Sequence, residues 1–168
     1  MSAPATLSEF MALAVQMELE AAARYAELAD TMEVHNNREV AGLFRRMATI
    51  EAGHAKQVMA DMGWTTVPAL PDTLTHGDEL PETAPTGELH YLMQPYQALA
   101  LALECERRAE RFFARLAEIA PEGPVRDAAV TLREEEREHV ELMQAWMAKF
   151  PKPDADWADD PDPPRYTE

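Results

Sequence analysis

Residues 47–62 read MATIEAGHAKQVMADM, and residues 132–147 read LREEEREHVELMQAWM. Laid over one another, the two stretches share one pattern. Met47, Glu51, His54, Val58 and Met62 in the first fall at the spacing of Leu132, Glu136, His139, Met143 and Met147 in the second. Steps of three and four place all of these positions on one face of a helix. Each stretch therefore reads as an amphipathic helix whose apolar stripe contains a Glu and a His one turn apart.

The likeness extends upstream of each. Glu18-x-x-Ala21-x-x-x-Tyr25-x-x-Leu28-Ala29 has the spacing of Glu106-x-x-Ala109-x-x-x-Phe113-x-x-Leu116-Ala117. The chain reads as one helix hairpin used twice. Four helices are predicted: Leu7 to Met32, Asn37 to Met62, Pro95 to Ala120 and Pro124 to Phe150. Thr6 with Glu9 fits a capping box for the first, and Asn36 with Glu39 a similar cap for the second. Gly63 stops the second helix, Pro121 and Gly123 end the third, and Pro151 ends the fourth. Each helix has about 25 residues and spans roughly 38 Å, so the fold class is all-α, a four-helix bundle.

Between the second and third helices lies a linker, about 64–94, carrying Pro68, Pro71, Pro81 and Pro85 with Gly77 and Gly87. One short helical turn is expected near Glu88 to Met93. A connection of this length joins opposite ends of a bundle and makes helices two and three parallel. The domain is thus 1–150. The tail, 151–168, holds five prolines and five aspartates in eighteen residues and reads as disordered or loosely docked.

Composition narrows the function. The formal net charge of -16, from 15 basic and 31 acidic residues, repels nucleic acid and attracts cations. The single cysteine, Cys105, excludes an intramolecular disulfide and any four-thiolate site within these residues, and reads as a small buried side chain. No basic stretch followed by an apolar core opens the chain, and no run of about 18 apolar residues occurs. The expectation is a cytoplasmic protein with no membrane partner.

The chemistry lies in the polar residues inside the stripes. Glu18, Glu51, Glu106 and Glu136 would bring four carboxylates into one core, where unpaired charges cost several kcal/mol each. Two divalent cations cancel the four charges, with His54 and His139 as neutral ligands. At the i, i+3 spacing each Glu–His pair grips one metal and leaves a carboxylate oxygen for the other. Glu51 and Glu136 then bridge, and Glu18 and Glu106 are terminal. Oxygen and imidazole ligands together suit iron, with manganese or a mixed pair as variants. Glu20, Glu104 and Glu135 are the alternatives if the helical register shifts. Tyr25 either packs the core or donates a hydrogen bond to a ligand carboxylate. His35, His76 and His90 read as surface histidines, and the methionines as core filler.

This doubled motif resembles the rubrerythrin-like branch of the ferritin-like superfamily, over about Leu7 to Phe150 without the linker. The resemblance implies a ferritin-like bundle with a long crossover and a di-iron centre at mid-bundle. It implies redox chemistry with O2 or H2O2, of peroxide-reducing or ferroxidase type, and a homodimer. The rubredoxin domain of classical rubrerythrins has no counterpart here, so the electron donor would be a separate protein. Phe113 stands where the first helix has Tyr25, and Ala109 where classical rubrerythrins place a further ligand. Outside this reading stand an iron-storage role without turnover and a metal-free helical scaffold.

Overall fold

A computed structural model of the chain describes residues 6–70 and 93–156. Four long helices account for most of them: α1 (Leu7–Val34), α2 (Arg38–Met62), α3 (Pro95–Ile119) and α4 (Pro124–Met147). Among the described residues there is no strand. The Thr6 hydroxyl accepts from the Glu9 amide at 3.1 Å and starts α1 as expected. Gly63, at φ 69°, takes the left-handed conformation that ends α2, and the Trp64 amide returns to the Met59 carbonyl at 2.9 Å.

Two boundaries differ from the expectation. Asn36 does not cap α2. It sits at φ 60° in the turn, where its short polar side chain tolerates the left-handed region, and Asn37 becomes the N-cap without a side-chain capping bond. The fourth helix stops at Met147 rather than Phe150. Pro151 disfavours helical geometry at the residue before it, so the last amides, Lys149 and Phe150, turn back only three residues, to Trp146 and Met147.

Each hairpin turn is clamped by an arginine. Arg45 on α2 reaches Asp30 and Glu33 on α1 at 2.9 and 2.8 Å. Arg126 on α4 donates to the Ala120 carbonyl at the end of α3 at 2.9 and 2.6 Å. Helix backbones approach closely within each hairpin, whereas the two hairpins meet mainly through side chains. Phe10 on α1 meets Phe113 on α3, and Tyr25 meets Glu106, so α1 and α3 are antiparallel. That leaves α2 and α3 parallel, the arrangement a long crossover requires.

The core is split into two layers. One end of the bundle packs Leu28, Met32, Phe44, Met47, Leu99 and Met143. The other packs Phe10, Leu13, Met17, Phe113, Leu116 and Leu132. Glu18, Glu106 and Glu136 lie on their helices between residues of the two layers, and Glu51 follows Met47, the last buried residue of the first layer on α2. Phe113 is fully buried between Phe10 and Phe112, with ring centroids 6.2 and 5.3 Å away. Phe113→Ala is expected to cost about 3–5 kcal/mol, read as a lower urea midpoint at unchanged slope.

The expected turn at Glu88–Met93 falls almost wholly outside the described residues, and so do His76, His90 and tail residues 157–168. Residues 151–156 are described. Lys152, Pro153, Asp154 and Ala155 line, together with Tyr96 and Leu101 on α3, a cavity of about 510 Å³. No helix among the described residues is long and apolar enough to cross a membrane.

Candidate metal centre

Helical period alone points Glu18, Glu51, Glu106 and Glu136 inward, and all four are almost fully buried, at 1–2% exposure. The structure brings them together with both histidines. His139 Nδ1 lies 3.1 Å from Glu51 Oε1, 3.4 Å from Glu106 Oε2 and 3.7 Å from Glu136 Oε2. His54 Nδ1 lies 3.4 Å from Glu51 Oε2 and 3.6 Å from Glu18 Oε2. The two imidazoles stack 5.9 Å apart, 6° from parallel. Glu51 faces both of them, one oxygen to each.

These atoms crowd together without bonding one another. Both oxygens of Glu18 and of Glu51, Oε2 of Glu106 and of Glu136, and Nδ1 of both histidines are buried with no hydrogen-bond partner among the described residues. Buried polar atoms are seldom left this way, since each costs about 1–3 kcal/mol. Ionised carboxylates only accept, and two imidazoles offer too few protons to satisfy them. A donor-poor cluster of this make-up is what cations satisfy. Glu18, Glu51 and His54 each offer a ligand atom within 4.8 Å of one another, and so do Glu51, Glu106 and His139. Glu51 belongs to both groups. Glu136 belongs to neither, although its carboxylate borders His139.

The electrostatics show the same strain. Burial pushes the Glu18 carboxyl up to about 8 and raises Glu136 well above the ordinary range. Burial also acts to raise Glu51, but His139 and His54 on either side outweigh it and hold this carboxyl below the ordinary range. The Glu18 carboxylate, with Glu51, lifts His54 to about 10. For His139 burial opposes the charged form, yet Glu106, Glu136 and Glu51 raise it above the usual imidazole range. Without a cation, protons are the counter-charges the cluster retains.

A model of the rubrerythrin family matches residues 9–147. The chain belongs to the rubrerythrin family. This rubrerythrin-family chain is also 36% identical to an uncharacterised conserved protein from Magnetospirillum magnetotacticum MS-1, whose crystal structure superposes with a TM-score of 0.73. The match covers 89% of this chain and 98% of that one. No curated protein matches it. Family membership and the Glu/His cluster together support a metal-binding, di-iron type of protein.

The remaining candidates fall away from the centre. Glu104 lies half-exposed against Arg108 and Arg111, at 3.3 and 3.2 Å. Glu20 is half-buried on the flank of α1, its carboxyl raised by burial. Glu135, one position before Glu136, is half-buried and lines with His54 a cavity beside the cluster. His35 is exposed in the α1–α2 turn. Tyr25 is buried against Phe44, and its hydroxyl donates to Glu106 Oε1 across the bundle. That bond engages one oxygen of Glu106 and leaves Oε2 turned toward His139. Phe113, at the equivalent repeat position, has no hydroxyl and serves the core.

Proposed function

We propose that Glu18, Glu51, His54, Glu106, Glu136 and His139 hold two iron ions, with manganese or a mixed pair as variants. We further propose that the protein carries out redox chemistry with O2 or H2O2, of peroxide-reducing or ferroxidase type. The observation that carries this reading is the pair of buried, unpartnered ligand groups that share Glu51. Mixed carboxylate and imidazole donors suit iron and manganese over calcium or magnesium.

When bound, two ferrous ions would supply the two electrons that, with two protons, convert H2O2 to two waters. The chain's own residues fix the setting. Glu51 spans the two imidazoles and sets how far apart the two halves stand. Tyr25 orients Glu106 through Oε1 and supplies an O–H beside the site. The apolar layers above and below keep bulk water from the carboxylates. Repeated turnover needs returning electrons, which we assign to a separate donor protein.

Anaerobic loading with Fe(II) tests the reading. About two iron atoms per chain are expected, and one equivalent of H2O2 should oxidise both, seen as ferric absorption in the near ultraviolet. Recycling with a chemical reductant separates a peroxidase from a protein that oxidises iron once and retains it. A folded protein that takes up no iron would sink the proposal.

A further inference from the structure

The internal repeat lets the two ends of the bundle be compared position by position. A shift of 85 residues carries Glu51 onto Glu136 and His54 onto His139. At the end beyond His139, the equivalent positions are filled by Leu43 and Met143, both buried, with Leu142 and Trp146 packed against the same layer. At the end beyond His54 the same four positions carry Ala128, Val58, Gln57 and Asp61. Every one of these is smaller or more polar than its counterpart.

The consequence is a void beside His54. A cavity of about 280 Å³ lies between α2 and α4, bounded by these four residues and by His54 itself. Exposed Gln57 and Asp61 stand at its rim with Glu135 beside them, and Val58 and Ala128 share its apolar wall with Met11 and Leu132. The volume holds several water-sized molecules. Solvent exposure follows the same asymmetry: the His54 side chain is 28% exposed and that of His139 only 10%. His139 also has Glu106, the carboxylate that Tyr25 holds, 3.4 Å from its Nδ1. The two histidines are alike in sequence setting and unlike in access.

We propose that this cavity is the port by which a small oxidant of the O2 or H2O2 type reaches the centre, on its His54 side; the proposal rests on the metal reading of the site. The residues that set the port are Ala128 and Val58, which belong to neither group of ligand atoms and act by the space they leave. Gas-sized and neutral molecules pass an apolar wall readily, and the polar rim keeps the mouth hydrated.

The test uses cobalt(II)-loaded protein and azide as a small ligand, with metal content measured first. Ala128→Leu and Val58→Met each copy the residue that the other end of this fold already accommodates. Each is expected to keep the wild-type cobalt content while slowing azide association by about tenfold or more, followed by ligand-field absorption after rapid mixing. If Ala128→Leu fails to fold, Val58→Met carries the test alone. Full cobalt content with unchanged azide rates in the folded variants overturns the port and leaves the metal site standing, as does a wild-type cobalt centre that takes no azide. A folded wild-type protein that binds no cobalt overturns both.

Discussion

Glu51→Ala is expected to reduce metal content from about two ions per chain to nearly none, a larger loss than any other single ligand would cause. The reason is geometric. Glu51 Oε1 lies 3.1 Å from His139 Nδ1 and Oε2 lies 3.4 Å from His54 Nδ1, and Glu51 alone belongs to both groups of ligand atoms among the described residues. Its removal takes a donor from each half. It also leaves two imidazoles facing each other with less negative charge between them. Glu18→Ala, by contrast, touches only the His54 half, so about one ion should stay. The loss in Glu51→Ala should exceed the roughly 10- to 100-fold weakening that follows removal of a group merely supporting a ligand. Elemental analysis after anaerobic loading and desalting reads both variants, with circular dichroism confirming that the helices persist. Retention of two ions by Glu51→Ala would remove the bridging role.

The metal-free protein is expected to lose stability as pH rises from about 6 to 9, and the metal-bound protein to resist that loss. For Glu18 the folded carboxyl sits at about 8 against 4.5 in the unfolded chain, so the folded state holds the extra proton between those values. Stability therefore falls with rising pH across that window. His54, raised to about 10 from 6.5, contributes stability that is complete below 6.5 and is lost as pH rises through about 10. The two effects have the same sign between 6.5 and 8. Glu51, held below its ordinary 4.5, contributes stability that is lost only in acid and does not oppose them here. Metal requires the carboxylates ionised and the imidazoles neutral, so its stabilisation grows as protons leave. Thermal melts should show the metal-free Tm falling by on the order of 5–10 °C from pH 6 to 9, while the gap to the metal-loaded Tm widens. A metal-free Tm that rises over this range would mean that the buried cluster is hydrated and already satisfied.

Local physics made much of this legible before any tertiary contact was known. Thr6 and Gly63 mark helix ends because each answers a backbone need of its own turn. Glu18, Glu51, His54, Glu106, Glu136 and His139 share one interior because a period of 3.6 residues fixes which face of a helix each side chain occupies. The repeat favoured Glu18 over Glu20 and Glu106 over Glu104, and burial in the folded chain separates them. The Asn36 cap was misplaced by one residue because the turn between α1 and α2 obeys the geometry of two packed helices, not the preference of one residue. A comparison of the halves at matched positions, Leu43 against Ala128 and Trp146 against Asp61, carried a signal for the cavity that a search for ligands passes over.

The sequence by itself determined four helices, their inward faces and the six polar residues those faces carry, since helical period and capping act within a few residues of chain. Only the tertiary structure decided what each inward residue meets. Tyr25 bonds Glu106, 81 residues away in the chain. Glu51 reaches both histidines while Glu136 borders one. The cavity between α2 and α4 borders His54 and not His139. These are matters of how far one helix slides past another and how side-chain volumes fill the space between, and no period along a single helix encodes either.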